Sequence, residues 1–179
     1  MQIKNFSWRL CACIVAAVSF GGGALAETAS GPVKRVDPAK FYRGSWLEIA
    51  RRPMWITDGC VAGTTRYAPT STPGTVRVID ACREGSPAGP EKVLSGTGTI
   101  LDPGVNAKLR VQYNPLLTVD YWIVDHANDY SWFIEISPDL DNLFIFTRKY
   151  PSRKELASLV ARAQALGYDT SKLEFPAHR

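Results

Sequence analysis

The chain has 179 residues and a formal net charge of +4, and 45% of its residues are hydrophobic. That length suits one compact domain with a sizeable core. The small basic excess gathers into no stripe or cluster, which argues against a nucleic-acid partner.

Lys4 and Arg9 precede an apolar run from Leu10 to Phe20 and a small-residue stretch ending Ala24-Leu25-Ala26. This is the pattern of a secretory signal peptide over residues 1–26, cut before Glu27, with one domain over 27–179. An apolar run this short does not span a bilayer. Cys11 and Cys13 lie at the front of the run, whereas a lipid-anchoring signal places its cysteine just behind it. A periplasmic or secreted protein without a lipid anchor is therefore the expectation. Cys60 and Cys82 survive processing, and in an oxidising compartment pairing into a disulfide is the default.

After a lead from Glu27 to Arg35, Asp37-Pro38 reads as a helix N-cap followed by a first-turn proline. Runs of strand type follow at short, regular spacing: Trp46 to Ala50, Val61 to Tyr67, Val76 to Ala81, Val93 to Leu101, Lys108 to Tyr113, Tyr121 to Val124, Ser131 to Ile136 and Leu143 to Thr147. The turns between them are clearest at Ser71 to Gly74, Asp102 to Gly104 and Pro138 to Asp141. This pattern predicts an antiparallel meander. Ser152 and Glu155 then form a capping box, and Leu156, Leu159, Val160, Ala163 and Leu166 make a single apolar stripe ended by Gly167. A lone helix with one apolar face needs the outside of a sheet to pack on. The last two strand runs are apolar on both faces and supply it.

Three motifs stand in order along the chain. The first is Gly44-Ser45-Trp46 at the entry to the first strand. The second is Asp120-Tyr121-Trp122-Ile123-Val124-Asp125, followed by Asp129-Tyr130-Ser131-Trp132. The third is Phe144-Ile145-Phe146-Thr147-Arg148, just before the helix. Together they resemble the lipocalin family, and more closely its bacterial, outer-membrane lipoprotein branch. His126 and the insertion around it depart from the commonest form of the second motif. The resemblance implies an all-β fold, an eight-stranded antiparallel up-and-down barrel with one C-terminal α-helix packed outside. It also implies a short extra strand within Gly167 to Phe175. It implies storage or transport of a small hydrophobic ligand, a fatty acid or lysophospholipid, for envelope lipid maintenance, with some association with the outer membrane. It implies no cofactor. In such a barrel Gly44 lets the backbone enter the strand, Trp46 closes one end, and Arg148 lays its planar guanidinium on the indole.

The two-residue period of a strand sorts the walls. With Trp46 and Arg148 inward, Glu48, Ala50, Asn142, Phe144 and Phe146 also face in, and Leu47, Ile49, Leu143 and Ile145 face out. Keeping Arg66 and Arg77 in water turns Gly63, Thr65, Tyr67, Val76, Val78, Asp80 and Cys82 inward. Leu109, Val111 and Tyr113 follow by the same rule. Keeping Glu135 in water turns Trp132, Ile134 and Ile136 inward. The expected ligand-binding set is therefore Glu48, Tyr67, Val78, Asp80, Leu109, Val111, Tyr113, Trp132 and Phe144, with Gly44, Trp46 and Arg148 as barrel closure. Strict parity would put Cys60 and Cys82 on opposite faces, so Cys60 is expected in the loop before its strand.

Chemistry of another kind finds little to work with. The mature chain has His126 and His178 alone, and neither a His-X-X-X-His nor a Cys-X-X-Cys spacing, so no metal site is expected. The alternative to a binding protein is a lipocalin-type enzyme acting on a lipid or isoprenoid, built on a free Cys60 thiol or on Glu48 with Asp80. Trp55, in the long first loop, and the Asn114 to Val119 segment would sit as apolar clusters at the open rim. They suit a lipid-like ligand, a peripheral membrane contact or a homodimer contact.

Overall fold

The computed structural model describes residues 34–138 and 142–178. The expected signal peptide and most of the 138–141 turn lie outside them. Asp37 caps a single helical turn, α1 (Pro38–Phe41), its carboxylate accepting from the Ala39 N–H at 3.0 Å. Eight strands follow: β1 (Gly44–Arg51), β2 (Cys60–Pro69), β3 (Thr75–Glu84), β4 (Glu91–Ile100), β5 (Lys108–Asn114), β6 (Leu117–His126), β7 (Trp132–Ser137) and β8 (Asn142–Thr147). Each pairs antiparallel with its neighbour in sequence, and β8 returns to β1 to close the barrel. Closure leaves no free sheet edge. The helix α2 (Arg153–Ala165) opens on the Ser152–Glu155 capping box and ends ahead of Gly167, which takes a φ of +91°.

Two apolar clusters hold this arrangement. Inside, at the closed end, Phe41, Trp46, Leu109, Ile123 and Phe133 are fully buried. Outside, Leu159 and Ala163 of α2 are buried against Ile49, Ala50, Val124, Ile134, Ile136, Leu143 and Ile145. Burying one such aliphatic side chain is worth about 1.5–3 kcal/mol. The helix is therefore fixed by the outer face of β1, β7 and β8 more than by its own propensity.

Several expectations change. The sixth strand begins at Leu117, because Pro115-Leu116 forms a two-residue turn in which the Asn114 side chain accepts from the Leu116 N–H at 2.8 Å. The 114–119 segment is thus a hairpin tip rather than a loop, and it leaves Leu116 exposed. Cys60 lies in β2 rather than before it, and the disulfide to Cys82 is made across a β-bulge between Val61 and Thr64. One extra residue there restores the parity that a regular strand would lose. A second bulge, between Glu48 and Ala50, turns Ala50 out beneath α2 and brings Arg51 in. The parity of β7 is the reverse of that expected: Phe133 and Glu135 face in, and Trp132, Ile134 and Ile136 face out toward α2. The apolar demand of the helix outweighs the usual preference of a carboxylate for water.

The tail after α2 makes a single antiparallel bridge, Arg51 to Glu174, with the Ala62 N–H donating to Ala177 O at 2.8 Å. It fills the gap that the two bulges open between the upper halves of β1 and β2, so the expected extra strand is reduced to one bridge.

Candidate ligand-binding cavity

The closed end is sealed by cation and indole. Gly44 enters β1 at φ +67°, and a Cβ there would stand 3.4 Å from an Arg148 guanidinium nitrogen. The Arg148 guanidinium carbon lies 3.4 Å from the Trp46 ring centroid. Its Nη1 donates to Arg43 O at 2.8 Å and Ser45 O at 2.9 Å, and its Nη2 donates to Phe41 O at 3.4 Å. Stacking and backbone bonds use the planar fork in a way an ammonium group could not. Phe41 and Phe133 pack on Trp46 at centroid distances of 5.4 and 4.7 Å.

His126 belongs to the same floor rather than to any reactive group. Its ring nitrogens lie 2.8 Å from Ala127 O and 3.0 Å from Arg35 O, and its ring stacks on Tyr130 at 4.7 Å.

Above the floor is a cavity of about 340 Å³, reaching a rim formed by Met54, Trp55, Ile56, Lys92, Val93 and Leu117. Its walls combine apolar residues (Val78, Leu94, Val111, Phe144 and Phe146) with the rings of Tyr67, Tyr113 and Tyr121. A space of this size, largely apolar with a few polar points, is the usual form of a small-ligand site.

Three carboxyls, Glu48, Asp80 and Glu135, stand among the polar points, with Arg51 beside the first. Glu48 accepts from Arg51 Nη1 at 2.6 Å, and Arg51 also donates to Glu174 at 2.6 Å and to Cys60 O at 2.7 Å. Gly63 makes room for this pair, since a Cβ there would stand 2.8 Å from Glu48 Oε1. Asp80 accepts from Thr65 at 2.7 Å and from Tyr113 at 2.6 Å, and the Tyr113 and Tyr121 hydroxyls are 3.2 Å apart. Burial pushes the Glu48 carboxyl up, against the pull of Arg51. Burial also raises Asp80, against its two hydroxyl donors. Glu135 is pushed well above the ordinary carboxylate range, first by burial and then by the Asp80 and Glu48 charges. Burial likewise raises Tyr67, Tyr113 and Tyr121, so all three remain neutral donors at physiological pH.

Seven of the expected ligand-binding residues meet around this cavity: Glu48, Tyr67, Val78, Asp80, Val111, Tyr113 and Phe144. Leu109 faces in but is buried in the floor cluster below. Trp132 lies outside the barrel, half-buried beside α2, where Arg162 stands over its ring at 5.6 Å and also pairs with Asp125. The reversed parity of β7 puts it there. The expected set omits Arg51, Tyr121 and Glu135, which also line the cavity. Tyr121 has a visible signal, since it alternates with Ile123 in the second motif. Glu135 is legible only through the helix's need for Ile134 and Ile136, and Arg51 needs a bulge that no residue type announces. The thiol that a cysteine enzyme would require is bonded to Cys82.

The family model of a lipocalin-like domain matches residues 36–178. No curated protein sequence matches the chain. Among solved structures, apocrustacyanin C2 is similar at TM-score 0.62 with 13% identity, covering 79% of each chain. Insecticyanin from the tobacco hornworm Manduca sexta is similar at TM-score 0.62 with 18% identity, over 82% of this chain and 83% of that one. Lobster apocrustacyanin A1 is similar at TM-score 0.59 with 14% identity, over 76% and 77%. At these identities the likeness establishes the fold alone.

Proposed function

The chain belongs to the lipocalin-like family, and from that premise we propose that its barrel stores or carries a small hydrophobic ligand, with fatty acids and lysophospholipids as the classes in view. The observation that carries this reading is the cavity of about 340 Å³, sealed below by Trp46 and Arg148 and reaching the rim above. Burying an acyl chain supplies about 25 cal/mol per Å², less the ordering of chain and loops. Such a lipid enters tail first along Val78, Leu94, Val111 and Phe144 and leaves its anionic head at the rim, beside Lys92.

Trp55 is 75% exposed and Leu116 is 97% exposed at that same end. They offer an apolar contact through which ligand passes to or from a membrane surface, or through which two copies meet. Placement in the bacterial, outer-membrane branch, a periplasmic or secreted location and a role in envelope lipid maintenance complete the proposal. Their support is the leader-like N-terminus and the three motifs.

The test is native mass spectrometry of the protein as purified, together with titration of a fluorescent fatty acid. A co-purifying lipid and saturable one-to-one binding are expected. Absence of both contradicts a lipid carrier.

A further inference from the structure

Among the inward carboxyls, Glu48 is held by Arg51, and Asp80 is held by Thr65 and Tyr113. Glu135 differs. It is 4% exposed and lines the cavity, and its Oε2 has no hydrogen-bond partner among the described residues. Across the β7–β8 ladder it pairs with Phe144, whose ring lies 6.5 Å from that of Tyr121. A buried carboxyl without a partner is costly to the fold, and such a group aimed into a cavity marks a place where a ligand completes the bonding.

The charge balance indicates what kind of ligand. Arg51 is shared between Glu48 and Glu174, and Lys92 at the rim donates to Ile56 O at 3.2 Å. No cation is paired with Asp80 or Glu135 among the described residues. An anionic head driven to that depth would meet carboxyls, whereas a cationic one would meet a carboxyl and the faces of tyrosine and phenylalanine rings. No three His, Cys, Asp or Glu residues are grouped to hold a metal ion among the described residues, which leaves an organic cation.

We infer, resting on the ligand-binding role proposed above, that the cavity takes an apolar amine, entering head first with its ammonium on Glu135 and its hydrocarbon part against Val78, Val111 and Phe144. Pairing draws the Glu135 carboxyl into its ionised form, and the proton it held passes to solvent. The orientation is the reverse of a fatty acid's, whose head stays at the rim.

Displacement of N-phenyl-1-naphthylamine, a neutral fluorophore, from the disulfide-bonded protein at pH 7 tests this. The competitors are decylamine, decanol and decanoate, each below its micellar concentration. Decylamine should bind at least ten-fold more tightly than decanoate and several-fold more tightly than decanol. In Glu135→Gln the ratio of decylamine to decanol affinity should fall to near one. Decanoate binding as tightly as decylamine, or an amine preference that survives Glu135→Gln, overturns the inference and leaves the ligand-binding role standing. A fluorophore that does not bind at all overturns the role itself. The ranking in the unaltered protein decides the matter even if the variant folds poorly.

Discussion

At pH 8 a Glu135→Gln variant should be more stable than the unaltered protein, whereas near pH 4.5 the two should match. In an unfolded chain a glutamate titrates near its ordinary value, about 4.3. In the folded barrel, burial and the Asp80 and Glu48 charges hold Glu135 well above that. Between the two values the native state keeps a proton that the unfolded state has released. Stability from this group is therefore fully present below the unfolded value and is lost as pH rises toward the folded one. The loss is about 1.4 kcal/mol per pH unit across that window and levels off above it. Glutamine has the same shape and does not titrate, so the difference between the two proteins reports this group together with its coupling to Glu48 and Asp80. Urea unfolding with the Cys60–Cys82 bond intact, at pH 4.5, 6 and 8, measures it. Parallel stability curves for the two proteins would refute a buried, unpaired Glu135 and with it the inward parity of β7.

Other perturbations read other parts of the structure. Arg148→Lys keeps the charge but loses the planar stacking on Trp46 and most of the bonds to Phe41, Arg43 and Ser45. It should cost about 0.5–2 kcal/mol in thermal unfolding, and an unchanged midpoint would mean that the guanidinium does not close the barrel. Gly63→Ala places a Cβ 2.8 Å from Glu48 Oε1 and should cost about 1–3 kcal/mol as Glu48 and Arg51 shift. A neutral result in urea unfolding would show that the pair is loosely held. Replacing Cys60 and Cys82 together by serine removes a cross-link between residues 22 apart and should cost about 2–4 kcal/mol in denaturant unfolding, while free-thiol titration of the oxidised parent should find none from this pair.

Much of this fold is legible in the amino-acid sequence, and the residues show why. Asp37-Pro38, Ser152 with Glu155, and Gly167 are local signals, and local chemistry decides helix ends wherever they fall. Gly44, Trp46 and Arg148 identify the closed end because their roles depend on unusual side chains, and the contact they form is the one expected. Alternation places Val78 and Asp80 on β3 and Val111 on β5 as the structure has them. It fails at irregularities that leave no residue-type trace. One extra residue near Ala62, which adopts φ +50°, puts Cys60, opposite Glu84 in the ladder, on the same face as Cys82. Another near Ile49 exchanges Ala50 for Arg51 at the cavity wall.

The reversal on β7 has a different origin. Phe133 and Ile134 are equally apolar, so the strand offers no pattern of its own, and its one charged residue is the only guide to its orientation. Glu135 then misleads, because a carboxyl turned inward is a departure from the rule that charges face water. Such departures concentrate at sites that bind something. The helix stripe of Leu159 and Ala163 contains the better constraint, since it requires Ile134, Ile136, Leu143 and Ile145 on one outer face together. For the same reason Trp132, a ligand contact by alternation, lies outside the barrel.

The central claim is that the space above Trp46 receives a ligand, and filling that space tests it most directly. Val111 is 1% exposed and lines the cavity wall. Val111→Trp puts an indole into the cavity, at an overpacking cost of about 1–3 kcal/mol that unfolding and near-ultraviolet circular dichroism would register. With the fold retained, N-phenyl-1-naphthylamine should bind the unaltered protein saturably at one site and the variant at least ten-fold more weakly. Equal affinity in the two proteins would place binding outside the barrel and contradict the account.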